Sequence, residues 1–135
     1  MDWVQNCWEW LENFQQIKSI MEDLTQDGFR FYLDDFGSGY SNFNCVLQLP
    51  FQIIKLDRCL VTPGTNGPSD YAMVRTLTNL LHEMGLTVIA EGAETEQDVH
   101  ALTTQGVDRI QGFALAAPMP EDKLLQFYRE HSVDP

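Results

Sequence analysis

The sequence predicts an α/β fold with parallel strands and right-handed crossovers. Three observations carry that expectation. Short apolar, β-branched runs alternate with amphipathic stretches, in the order of one helix followed by four strand-helix units. The helical stretches close on glycine, at Asp27-Gly28, Gly85 and Gly106. Every expected strand ends near a charged or amide side chain.

From Trp8 the residues Leu11, Phe14, Ile17, Met21 and Leu24 recur every three or four positions, the stripe of an amphipathic helix that Asp27-Gly28 stops. A first strand is expected at Phe29 to Leu33, a loop at Asp34 to Ser41, and a short helical turn from Asn42 to Leu47 before Leu49-Pro50. Gln52 to Leu56 reads as the second strand. The turn-rich run Thr62 to Ser69 leads to a helix carrying Met73, Val74, Leu77, Leu80, Leu81 and Met84. Thr87 to Ala90 reads as the third strand, Thr95 as the N-cap of a helix with Val99 and Leu102, and Asp108 to Gln111 as the fourth strand. Pro120 opens a last helix through Tyr128.

The 135 residues are 44% hydrophobic, enough for one core and one domain. Eight Lys+Arg against 20 Asp+Glu give a formal net charge of −12, which argues against a nucleic-acid polymer or an anionic membrane surface as partner. A phosphorylated ligand would need divalent cations to neutralise it. The 3 cysteines, Cys7, Cys45 and Cys59, have no paired spacing, so a reduced, cytoplasmic setting is expected. Neither a signal peptide nor a membrane span is expected.

In parallel α/β folds ligands gather where strands end at their carboxyl side. The polar residues there are Asp34 and Asp35, Lys55, Glu91 and Gln111. Adjacent carboxylates suit hard cations and, when one bridges two ions, phosphoryl transfer; they equally suit an ordinary Asp-Gly turn. Lys55 within a buried parallel strand needs an anionic partner, either a ligand phosphate or a structural carboxylate such as Asp57 or the first-strand aspartates. Glu91 is either a metal ligand or base, or a charge favouring the next helix dipole. Gln111 either hydrogen-bonds a substrate or water, or is a buried amide satisfied by backbone, and Gly112 lets a ligand or backbone approach closely. His82, His100 and His131 read as surface or satisfied residues. Asp35-Phe36-Gly37 matches a kinase triplet without the rest of a kinase.

Taken together, L-D-D-F-G-S-G-Y-S-N at 33–42, I-K-L-D-R at 54–58, V-I-A-E-G-A-E-T at 88–95 and I-Q-G-F at 110–113 closely resemble the EAL family of bacterial cyclic di-GMP phosphodiesterases. The resemblance runs from about Phe14 onward, with residues 14–130 as the matched core and 1–13 poorly matched. It implies a TIM-like (β/α) barrel holding two Mg²⁺ or Mn²⁺ ions beneath one phosphodiester of cyclic di-GMP, with linear pGpG as product. It implies Asp34 as the ligand shared by the metals, Asp35 as a ligand of the second and Glu91 as a further ligand or a group polarising the water. Lys55 would orient the attacking water, and Gln111, Gly112 and Pro118 would lie on the substrate side. Glu94 would anchor the loop Asp34 to Ser41, which in the family also links the metals to a dimer contact.

Only four strand-helix units are visible where a barrel has eight, so the chain is expected to be the C-terminal portion of one EAL domain, weakly active or inactive alone. The E-x-L strings Glu9-Trp10-Leu11 and Glu22-Asp23-Leu24 lie in the first helix and are decoys. The alternative is a non-catalytic cyclic di-GMP receptor or dimerisation module, favoured by Ala116-Ala117 before Pro118 where the family commonly carries Ser and a basic residue. Self-association is expected through open sheet edges and through Tyr40, Phe43 and Val46, and sensory or GGDEF-type domains are expected upstream in the parent protein.

Overall fold

The computed structural model describes residues 3–38, 42–61 and 71–132, with side chains from 13 onward in the first stretch and from 43 onward in the second. The element order is α1 (Trp3–Gln26), β1 (Tyr32–Phe36), α2 (Asn42–Gln48), β2 (Ile53–Leu56), α3 (Arg58–Val61), α4 (Ala72–Glu83), β3 (Thr87–Glu91), α5 (Glu96–Thr104), β4 (Arg109–Gln111) and α6 (Glu121–His131). The four strands form one parallel sheet in the order β1-β2-β3-β4, the arrangement of a partial TIM-like barrel.

Strand pairing decides which side chains meet. Because successive residues of a strand face opposite sides, Ile54 and Leu56 of β2 and Val88 and Ala90 of β3 share one face. That face is the core: these residues pack with Val74 and Leu81 of α4, Leu102 of α5 and Val61 of α3. Ile53, Lys55, Ile89 and Glu91 lie on the opposite face, and in register beside them stand Arg109 and Gln111 of β4. The face that a closed barrel would enclose is therefore charged as well as apolar.

Helix ends follow local chemistry. In α1 the Phe29 N–H donates to the Leu24 carbonyl and the Gly28 N–H to that of Thr25, the paired bonds of a Schellman ending, and Leu86 and Gly85 repeat the pattern at the end of α4. Thr95 caps α5 as expected: its hydroxyl accepts from the Asp98 N–H, while the Asp98 carboxylate accepts from the Thr95 and Glu94 N–H groups.

Several expectations are corrected. The first strand is Tyr32–Phe36 rather than Phe29 to Leu33, so Asp34 and Asp35 belong to the strand and not to a following loop. The apolar run from Phe29 suggested an early start, but pairing begins only where the Phe31 carbonyl accepts from the Gln52 N–H and where Gln52 Oε1 accepts from the Phe31 N–H. The turn α3 had no apolar periodicity to announce it. Asp57 caps it by accepting from the Cys59 N–H at 2.8 Å, so Asp57 is not the partner of Lys55. Val46, expected on an exposed contact surface, is only 6% accessible and packs into the core, because α2 turns that face onto β1. Conversely, of the α1 stripe Met21 is buried while Ile17 is exposed. Tyr40 and the run 62–69 lie outside the described residues.

Candidate active site

Two consecutive strand residues ordinarily point to opposite faces, so Asp34 and Asp35 should diverge. They do not, because β1 carries a bulge. Leu33 is aligned with Ile54 and Phe36 with Leu56, which leaves Asp34 and Asp35 together opposite the single residue Lys55. Asp35 takes the left-handed backbone conformation, with φ 55°, that this extra residue requires. The Asp35 N–H donates to Asp34 Oδ1 at 2.9 Å, and the Ser38 hydroxyl and N–H close the turn onto the Asp35 carbonyl.

On the neighbouring strands, Lys55 reaches both flanking carboxylates. Its Nζ lies 3.3 Å from Asp34 and also pairs with Glu91 on β3. The Lys55 and Glu91 side chains are only 18% and 20% accessible, so each would be costly to bury alone. The Glu91 hydrogen bond raises the Lys55 pKa; partial burial opposes it and the Asp34 contacts reinforce it. Lys55 is thus held as an ammonium; of the carboxylates expected beside it, Asp34 is there and Asp57 is not, and Glu91 is a partner the sequence did not announce.

Carboxylate oxygens of Asp34, Asp35 and Glu91 all lie within 4.8 Å of one another. Three hard oxygen donors at this separation are a group that could hold a metal ion. Glu91 is aligned with Gln111 on β4, and the Gln111 carbonyl accepts from the Gly92 N–H at 2.9 Å. The Gln111 side chain itself is exposed, which rules out the buried-amide alternative. A cleft of about 230 Å³ opens there, lined by Arg58, Glu91, Gly92, Glu94, Gln111, Gly112 and Phe113. The close approach at Gly112 is made by backbone: an added Cβ would lie 2.0 Å from the Ala93 carbonyl oxygen. Pro118 is exposed and does not line the cleft.

Glu94 pairs with Arg58, with Arg58 Nη2 2.5 Å from Glu94 Oε1. The sequence shows Arg58 as the last residue of I-K-L-D-R but gives it no role, since a basic residue after a strand is unremarkable until the neighbouring strand shows an acid at the matching place. The histidines stay outside the site. His82 bonds Asp108 at 2.8 Å on the far end of β3 and β4, and His131 stacks on Phe127.

A parallel sheet whose carboxyl end gathers three acids and a lysine is the arrangement of a partial TIM-like barrel with a charged site at its strand ends. Residues 5–118 match the family model described as the EAL domain, and the chain belongs to that family. Among its relatives, a cyclic di-GMP phosphodiesterase from Escherichia coli, PdeR, is 33% identical over 121 residues, covering 90% of this chain and 18% of PdeR. MucR of Pseudomonas aeruginosa, a bifunctional diguanylate cyclase/cyclic di-GMP phosphodiesterase, is 37% identical over 106 residues, covering 78% of this chain and 16% of MucR. The solved EAL domain of Mycobacterium smegmatis DcpA superposes with a TM-score of 0.81 at 30% identity, over 90% of this chain and 54% of that one. The chain therefore spans less than a fifth of these two curated relatives and about half of a solved EAL domain. Among the described residues no helix is long and apolar enough to cross a membrane.

Proposed function

We propose that this chain is the C-terminal portion of a single EAL domain, with residues 14–130 as its core, from a divalent-metal-dependent phosphodiesterase that hydrolyses cyclic di-GMP to linear pGpG. The observation that carries this reading is the bulge that turns Asp34 and Asp35 together toward Lys55 and Glu91. Relatives named as cyclic di-GMP phosphodiesterases, and the solved complex of the MucR phosphodiesterase with c-di-GMP, support the substrate.

In this reading Asp34, Asp35 and Glu91 hold Mg²⁺ or Mn²⁺, within a two-metal site that the rest of the barrel completes. The ions, when bound, neutralise the phosphodiester and acidify the attacking water. Lys55 keeps a positive charge beside the reacting phosphorus, orients the water and stabilises the negative charge that grows on the phosphoryl oxygens. The water oxygen forms a new bond to phosphorus as one ester P–O bond breaks, and the proton the water gives up is taken, in net, by the departing ribose oxygen. Gln111 hydrogen-bonds the water or the substrate, with Gly112 beside it in the cleft. Glu94 anchors the loop that leads from the metals to a dimer contact. The working assembly is a cytoplasmic homodimer, in a parent protein that carries further signalling domains.

Two measurements test this. Calorimetric titration of Mn²⁺ should show binding by the wild-type chain that the Asp34→Ala, Asp35→Ala double variant loses; equal binding by both would overturn the metal reading. Chromatography of cyclic di-GMP incubated with the chain and Mn²⁺ should show little or no pGpG, since three carboxylates are an incomplete set of ligands. Rapid pGpG production would overturn the partial-domain reading.

A further inference from the structure

The exits of β2 and β3 are joined by two ion pairs with the same spacing. Lys55 and Arg58 are three residues apart on one strand exit, Glu91 and Glu94 three apart on the next, and Lys55 pairs with Glu91 while Arg58 pairs with Glu94. The outer pair is 59% and 50% accessible, so screening by solvent leaves it little weight as a source of stability. Its geometry is what matters. The Arg58 methylenes lie against Gly92, the residue after Glu91. Gly92 has φ +85°, and an added Cβ would come 2.6 Å from Arg58 Cγ.

The segment from Glu91 to Glu94 is otherwise fixed from the β4 side and from α5. The Gly92 N–H donates to the Gln111 carbonyl, the Ala114 N–H donates to the Ala93 carbonyl, and Asp98 accepts from the Glu94 N–H. Arg58 closes the side toward β2, where Lys55 waits.

We propose that Arg58 is a positioning residue for Glu91: its stem on Gly92 and its guanidinium on Glu94 hold the β3 exit so that the Glu91 carboxylate stays on Lys55 and within reach of Asp34 and Asp35. The consequence for a divalent cation rests on the metal reading above; the consequence for the Lys55–Glu91 pair does not.

The test compares wild-type, Arg58→Ala and Arg58→Lys chains. Hydrogen exchange of the Lys55 ammonium, read by ¹⁵N NMR in metal-free protein, reports its hydrogen bond to Glu91. Mn²⁺ affinity reports the ligand cluster, and the urea midpoint reports global stability. Arg58→Ala should speed Lys55 exchange several-fold and weaken Mn²⁺ binding roughly 10-fold, with the urea midpoint nearly unchanged. Arg58→Lys, which keeps a stem and a charge, should recover most of both effects. Unchanged Lys55 exchange in Arg58→Ala would overturn the proposal, as would a change that tracks the urea midpoint and is not recovered by lysine. Faster exchange in a chain that binds no Mn²⁺ even as wild type would uphold the positioning role and refute the metal reading instead.

Discussion

Lys55 holds its ammonium between Asp34 and Glu91, and its removal would leave those carboxylates facing one another with no counter-charge. Lys55→Met is expected to destabilise the metal-free chain by about 1 kcal/mol, because the largely covered Glu91 loses its partner while solvent screens the exposed Asp34. Added Mn²⁺ should recover much of that loss by supplying the missing charge. Unfolding midpoints that match wild type without Mn²⁺ would show that the ion pair contributes nothing. Gly112 makes a different demand. Its Cα stands where a methyl group would strike the Ala93 carbonyl, so Gly112→Ala should cost about 2–4 kcal/mol in urea unfolding through backbone displacement at the β4 exit. A loss below that range would mean the turn yields easily. At this scale the sequence already exposed Asp34, Lys55, Glu91 and Gln111, because polar residues at the ends of apolar strands are conspicuous. It could not reveal that Asp34 and Asp35 share one target, which depends on the register of β1 against β2, nor that Arg58 and Glu94 meet.

Helix α5 depends on a titrating group at its N-terminus. Partial burial pushes the Asp98 carboxyl up, but hydrogen bonds from the Thr95 hydroxyl and N–H, the Glu94 N–H and the Tyr71 hydroxyl outweigh it, and the pKa lies below the ordinary carboxylate value. A carboxyl lowered on folding stabilises the protein above its unfolded pKa, and that contribution is lost as pH falls through the lower folded value. Thermal melts should therefore hold steady near neutrality and drop below about pH 3.9. Asp98→Ala should lower the melting temperature at pH 7, by about 1–2 kcal/mol of stability, and flatten the acid drop. An acid drop as steep in Asp98→Ala as in wild type would assign it to other groups, among them Asp108, whose pKa is also lowered. The elements with strong local signals were legible in advance: the Thr95 cap, the Gly85 stop and the β-branched run of β2. The start of β1 was not, because Phe29 and Phe31 look like strand residues and only the partner strand decides where pairing begins.

Across the whole molecule, β1 and β4 are the edges of the described sheet, and on the face away from the core Ile53 and Ile89 are buried beside charged residues. Helix α6 buries no side chain, leaving Leu124, Leu125 and Tyr128 exposed. Unpaired parallel edges and such apolar surface favour association with another copy. Sedimentation at micromolar concentration should show species larger than the monomer, and a well-ordered monomer would show that the sheet tolerates its open edges. Sequence motifs identified the family because they span four strand ends in order. The mixed character of the inner face emerged only from the register. The central claim is that the β1 bulge makes Asp34, Asp35 and Glu91 one cation site around Lys55. Paramagnetic broadening of backbone amides by substoichiometric Mn²⁺ tests it directly. The account predicts broadening centred on residues 34–37, 55–58, 91–94 and 111–113; broadening spread evenly over the acidic surface, or centred on another part of the chain, would contradict it.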